Sequence, residues 1–281
     1  MSDRMALSGG NFTATRHSTT YDYISPIKLD LAGKNVLITG AAWEDGVGYA
    51  TATAFVRAGA SAVALADLHG ISDDLVTMLK LTATVQAMYK IVSERFDGRL
   101  DILINNAAHM EPYKPLLDSD PDVHWRTWEV NIHGILNIAR AFLPMQLLAR
   151  VNNNGLCTMI NVSSSGALSA RHGSASYRSS KLAILRLTES LQLEYGDQGF
   201  LTYCVNPGAI KTKITETAPE EVRNRFPDRP EIAGDTIAWL AAERKECLGG
   251  RYVSCPWDME ELMKKKDEII EKDLLKMRMA F

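Results

Sequence analysis

From Gly33 onward, short apolar runs alternate with longer stretches in which apolar residues recur at helical spacing. The strand-like runs are Asn35–Thr39, Ala62–Ala66, Asp101–Asn105, Leu156–Val162, Leu201–Val205 and Tyr252–Cys255. Between them, the periodicity predicts helices over roughly Gly46–Arg57, Thr82–Phe96, Val123–Arg150, Ala175–Tyr195 and Glu231–Ala242. Strands and helices in alternation predict βαβ units, right-handed crossovers and a parallel sheet. Nothing linker-like divides the chain after Gly33, which implies one α/β domain over residues 31–258.

The two ends break this pattern. Residues 1–30 are rich in Ser, Thr, Gly and Asn and lack apolar periodicity, so a partly disordered extension is expected. Residues 259–281 predict a charged helical tail, with apolar positions at Met259, Leu262, Ile269, Leu274 and Met277. Such a tail can lie along the domain edge, contact a second subunit or cover a site.

Composition is that of an ordinary globular protein, and a net charge of −3 with interspersed signs offers no nucleic-acid groove. The four cysteines show neither metal-ligand nor disulfide-framework spacing, and Cys157 and Cys204 fall in apolar runs. No run reads as long and apolar enough to cross a bilayer. No nucleic-acid, membrane or metal partner is expected, and a reducing, cytoplasmic location fits best.

Two segments carry chemistry. Thr39-Gly40-Ala41-Ala42-Trp43-Glu44-Asp45-Gly46-Val47-Gly48 lies between the first strand and its helix. Glycines there allow a tight turn and let backbone N–H groups approach a pyrophosphate at the helix N-terminus. Asp67 ends the second strand, where a carboxylate can accept both adenosine ribose hydroxyls and repels a 2′-phosphate. With Glu44 and Asp45 adding negative charge, NAD(H) is favoured over NADP(H). The second segment is Ser176-Tyr177-Arg178-Ser179-Ser180-Lys181, with Ser164 upstream. Tyr177 and Lys181 share a helix face, and an ammonium beside a phenol is expected to lower its pKa.

These motifs, in this order, resemble the short-chain dehydrogenase/reductase family. The resemblance runs from about Gly33 to Asp258. Its glycine-rich motif appears as Thr39-Gly40 with Gly46-Val47-Gly48, carrying two extra residues between the first two glycines. Asn105-Asn106-Ala107-Ala108 stands for the family's NNAG. Asn131, Ser164, Tyr177 and Lys181 match the family's catalytic residues, and Asn206-Pro207-Gly208 precedes Thr212, where a hydroxyl contacts the nicotinamide or a phosphate. The resemblance implies a single-domain, doubly wound Rossmann-type sheet. It also implies cofactor contacts from Gly40, Gly46, Val47, Gly48, Asp67, Asn106, Ala107, Tyr177, Lys181, Pro207, Gly208, Ile210 and Thr212. A homodimer or homotetramer is implied as well. Tyr177 would protonate a carbonyl oxygen, Ser164 would bind that oxygen, Lys181 would tune Tyr177 and bond the ribose, and Asn131 would hold a relay water.

The chain departs from the pattern after Asp67. Only Ile71–Lys80 is left for a helix and the approach to the third strand, so that strand is expected to be shortened or lost. Lys80-Leu81-Thr82 is the nearest stand-in for the adenine contact, and the adenine side is expected to be open. His109, Met110, Glu111, Tyr113, Leu168, Arg171 and the Thr215–Phe226 segment are expected to face substrate, and Ile214–Pro219, polar and small, suits a mobile lid. The leading reading is an oxidoreductase interconverting a ketone and a secondary alcohol. The alternatives are an impaired or non-catalytic nucleotide-binding protein, and a redox-neutral dehydratase or epimerase on the same fold.

Overall fold

The computed structural model describes residues 9–68, 79–81 and 84–279. Seven strands form one parallel sheet: β1 (Asn35–Thr39), β2 (Ala62–Ala66), β3 (Leu79–Leu81), β4 (Ile102–Asn105), β5 (Thr158–Val162), β6 (Leu201–Asn206) and β7 (Tyr252–Ser254). Their spatial order is β3-β2-β1-β4-β5-β6-β7, with Ile38 of β1 paired to Leu65 on one side and Ile104 on the other. The order reverses between β1 and β4, and in such sheets the crevice beyond the strand carboxyl ends is the ligand site.

The continuous apolar runs are explained by burial of both sheet faces. Val36 and Ile38 share a core with Phe55 of α1 (Val47–Arg57) and Ile237 of α7 (Pro230–Ala242). Leu37 points the other way, into a core built with α2 (Val85–Arg95), α4 (Gly134–Asn153) and α5 (Ala175–Tyr195). Thr84 caps α2 by accepting from Ala87 N, and Asp120 caps α3 (Pro121–Trp128) through Asp122 N and Val123 N. The remaining helices are short: α6 (Glu220–Arg223), α8 (Met259–Lys264) and α9 (Lys266–Glu271).

Four expectations are revised. A third strand is present, since Leu79–Leu81 pairs with Ala64–Ala66 at the sheet edge, so it is not lost. Residues 71–78, expected to lead into it, and Thr82 lie outside the described residues.

Residues 9–30 of the N-terminal extension are ordered, because their polar groups find partners on the C-terminal segment; residues 1–8 lie outside the described residues. Thr15 donates to Glu261, His17 meets Asp258 Oδ2 at 2.8 Å, and Ile24 and Leu31 are fully buried. The tail forms two short helices rather than one, and Met259, Leu262 and Ile269 insert into the main core. It is therefore part of the domain.

The helical stretch Pro121–Asn153 is, by length and composition, long and apolar enough to cross a membrane, contrary to the sequence reading. In the fold it packs on the sheet and buries Ile135, Ile138, Phe142, Leu143 and Ala149, as the core helix of a parallel sheet does.

Candidate active site

At the reversal point, Asn106 joins the ends of β1 and β4. Its Nδ2 donates to Thr39 O (3.0 Å) and Gly40 O (2.7 Å), and Thr39 Oγ1 accepts from Asn106 N and Ala107 N, both at 3.1 Å. The packing leaves no room for side chains on the glycines. A β-carbon on Gly40 (φ +73°) would stand 2.6 Å from Ala107 Cα, and one on Gly48 would stand 2.3 Å from Gly40 O. Gly46 N-caps α1 with no side-chain cap, and no acid sits in the first turn. The first-turn N–H groups near Val47 and Gly48 therefore suit a pyrophosphate, and the loop fits the dinucleotide the family uses. Asp67 Oδ2 accepts Ala42 N at 2.9 Å, which ties the end of β2 to this loop.

The opposite wall is built on β6. Asn206 Oδ1 accepts Ser165 N at 2.9 Å and Gly208 N at 3.4 Å. Asp228 Oδ2 holds Ala209 N at 2.7 Å, and Ile210 pairs with Asp228 in a parallel bridge. Gly208 (φ +114°) follows Pro207 and leaves no space for a β-carbon beside Asp228. Thr212 precedes the 3-10 turn Lys213–Thr217, where Thr215 Oγ1 accepts the Thr212 N–H at 3.0 Å and donates to its carbonyl at 2.7 Å. Lys213 Nζ stands 5.6 Å from the Trp43 ring centroid, which brings this turn against the glycine-rich loop. A cleft of about 290 Å³ lies between them, lined by Asp45, Thr212, Thr215 and Arg223 among others.

Ser164, Tyr177 and Lys181 meet between these walls. Ser164 follows β5 and lies close enough to the Tyr177 phenol to lower its pKa, while its Oγ accepts Gly166 N at 3.0 Å. Lys181 is buried, donates to Val162 O at 2.8 Å, and stands 5.6 Å from the Tyr177 ring centroid. Burial pushes the Tyr177 phenol up to about 12, against a smaller lowering by Ser164. Burial lowers Lys181 to about 8. The expected lowering of Tyr177 by Lys181 is therefore not found in this arrangement: desolvation dominates, and the ammonium is engaged by the Val162 carbonyl.

Asn131 sits in a π-helical turn, Glu129–His133, that joins α3 to α4. Its Oδ1 accepts His109 N (2.8 Å), and its Nδ2 donates to His109 O (3.0 Å) and Ser180 Oγ (2.9 Å). Both amide protons are used on protein partners, so the side chain clasps the β4 loop rather than presenting a donor to a relay water. Ser180 Oγ in turn donates to Tyr177 O at 2.8 Å, linking the clasp to the helix that carries the phenol.

Two residues next to Tyr177 were not assigned these roles from the sequence. Glu111, expected to face substrate, is buried and accepts Tyr177 N with both carboxylate oxygens. Arg178 reaches the Ser164 turn, donating to Ser169 O at 2.7 Å and Ser169 Oγ at 2.9 Å, with Nε on Ser174 Oγ at 2.8 Å. Its position beside Tyr177 in the sequence was the one available signal. Met110 is buried, His109 is held through its backbone, Tyr113 and Leu168 are half-buried, and Arg171 is exposed.

A family model described as short chain dehydrogenase matches residues 34–223. The chain belongs to the short-chain dehydrogenase family. Similar curated members include the short chain dehydrogenase citE of Monascus ruber, 37% identical, with 97% of this chain and 98% of that protein covered. The short chain dehydrogenase andI of Emericella variicolor is 33% identical, with 96% of each covered. Among solved structures, a 3-ketoacyl-(acyl-carrier-protein) reductase from Brucella melitensis complexed with NADH superposes with a TM-score of 0.73. It is 24% identical, covering 80% of this chain and 97% of that one, and supports the fold. This family member is thus an oxidoreductase of Rossmann-type fold whose family uses NAD(P).

Proposed function

We propose that this dehydrogenase interconverts a ketone and a secondary alcohol of a small molecule, with Tyr177 giving and taking the proton. The carrying observation is the Tyr177 phenol beside Ser164, with the buried Lys181 ammonium 5.6 Å from its ring centroid on the same helix face. A bound nicotinamide dinucleotide supplies or accepts the hydride.

The residues would divide the remaining work. Glycine-rich loop N–H groups and Asn106–Ala107 would hold the dinucleotide at the strand ends, with Pro207–Gly208, Ile210 and Thr212 on the opposite wall. Asp67, with Glu44 and Asp45 nearby in the loop, disfavours a 2′-phosphate, which supports NAD(H) as the preferred form. Ser164 and Tyr177 present two hydroxyls to one carbonyl oxygen, so negative charge developing there meets two donors. A phenol raised toward 12 stays protonated at neutral pH and serves as the acid in reduction. In the oxidative direction Tyr177 must first lose its proton. The phenolate, favoured by the nearby Lys181 ammonium, then takes the alcohol proton and becomes the phenol again.

We further infer a homodimer or homotetramer acting in a reducing, cytoplasm-like compartment. The four free cysteines support the compartment, and the family resemblance supports the assembly. The test is a carbonyl panel followed at the nicotinamide absorbance, with NADH affinity measured in parallel. Tyr177→Phe should lower turnover by about 100-fold or more and leave NADH affinity within about threefold. NADH oxidation unchanged by that substitution would sink the mechanism.

A further inference from the structure

The N-terminal arm meets the substrate side of the crevice at two places. Gly9 lies against the turn that follows Ser164: a β-carbon built on it would stand 3.9 Å from Leu168 Cδ1 and 3.7 Å from Trp257 Cζ2. Trp257 Nε1 donates to Gly9 O at 2.9 Å, and the Phe12 ring centroid is 5.2 Å from the Trp257 ring. Further along, Arg229 N, at the N-cap of α7, donates to Ser18 O at 2.7 Å. Between these points Glu261 accepts Ala14 N at 2.7 Å, and His17 N donates to Pro256 O at 2.8 Å. The arm is thus fixed along its length by groups distant in sequence.

The two contacted segments flank the crevice. Leu168 ends the 3-10 turn Ser165–Leu168, which begins beside Ser164 and is closed by Ala167 N donating to Ser164 O at 3.0 Å. Gly9 thus lies beside the Leu168 side chain at the end of that turn. Phe12 and Leu168 are both only half-buried, so apolar edges remain beside the arm.

We propose that residues 9–18 form a fixed wall of the substrate crevice. In this arrangement Gly9–Phe12 buttress Leu168 and limit the apolar bulk that a ketone can carry on the Leu168 side of Ser164. The proposal rests on the ketone–alcohol reading above and deepens it: the arm is a specificity-determining segment that positions the Ser164 turn.

The test uses Phe12→Ala in the full chain and a truncation starting at Thr13, with two readouts. The first is kcat/KM for a bulky aryl ketone against a small aliphatic ketone. The second is hydrogen exchange at the Ala167 amide, which needs no turnover. The ketone ratio should move toward the bulky substrate by about tenfold or more. Ala167 exchange should quicken by about tenfold, with NADH affinity within about twofold. An unchanged ratio with unchanged exchange would overturn the proposal, and so would a uniform loss on all ketones. Phe12→Ala leaves the backbone intact and decides the matter if the truncation does not fold. A wild-type protein that reduces no ketone defeats the reading above, while Ala167 exchange still decides the buttress.

Discussion

Glu111 is the N-cap that the Tyr177 helix lacks. Ser174, at the cap position of α5, makes no side-chain cap and instead accepts Arg178 Nε. Glu111, from the loop after β4, takes Tyr177 N at 3.1 Å and 3.0 Å with its two oxygens. A buried carboxylate at a helix N-terminus satisfies an orphan donor and faces the favourable end of the helix dipole.

Glu111→Ala should therefore destabilise the fold by about 1–2 kcal/mol, the usual loss for a removed cap. It should also lower kcat more than it raises KM, because the start of α5 sets the phenol's position. Glu111→Gln keeps an acceptor and should recover most of both. Chemical denaturation together with steady-state kinetics checks this; equal damage from Ala and Gln would point to the charge rather than the cap.

Asn131 leads to the second prediction. Its amide closes a clasp across the His109 backbone and Ser180, all at or below 3.0 Å. Asn131→Ala leaves buried polar groups without partners, at about 1–3 kcal/mol for each group left unpaired. The loop carrying Glu111 should loosen with it, so faster amide exchange is expected at Tyr177. Tyr177 exchange as slow as in the wild type would show that the clasp does not reach the helix.

The sheet was legible in the sequence because both its faces are buried, which turned β1, β2, β4, β5 and β6 into apolar runs. The edge strand Leu79–Leu81 is three residues long and carries too little pattern to be placed. Ser164, Tyr177 and Lys181 were legible from their spacing and Asn131 only from the family resemblance, and the structure brings the first three together. What Asn131 and Glu111 do was not legible. The Glu111 contact joins residues 66 positions apart, and the arm's Thr15 contact spans 246. No local pattern encodes a partner so distant, and a polar arm reads as disordered until the groups that satisfy it are in place.

Lys181 gives a pH-dependent prediction. Its ammonium is buried, and the folded protein lowers its pKa from 10.5 to about 8. The unfolded chain therefore holds this proton more tightly, and folding bears the full desolvation penalty below about pH 8. The penalty shrinks as pH rises from 8 to 10.5 and is absent above that. Lys181→Met should raise stability at pH 7 by about 1–3 kcal/mol while abolishing turnover. The stability gain should vanish near pH 10.5. Urea unfolding at both pH values measures it; a gain that does not depend on pH would mean that packing, not charge, is responsible.

Asp67 bears on the cofactor. Its carboxylate ends β2 and holds Ala42 N at 2.9 Å, so it shapes the glycine-rich loop as well as its charge. A 2′-phosphate brought near Asp67 meets like charge, an interaction that salt screens at the surface. NADH should therefore bind about tenfold or more tightly than NADPH at low salt, with the gap narrowing as salt is added. Asp67→Asn removes the charge but keeps an acceptor for Ala42, so it should narrow the gap without unseating the loop. The short interval between Asp67 and the third strand further predicts weak binding overall, with a Kd for NADH of roughly tens of micromolar. Fluorescence titration with both cofactors reads the preference and calorimetry the absolute affinity. Equal affinities in the wild type would remove Asp67 as the selector, and micromolar or tighter NADH binding would count against an open adenine side.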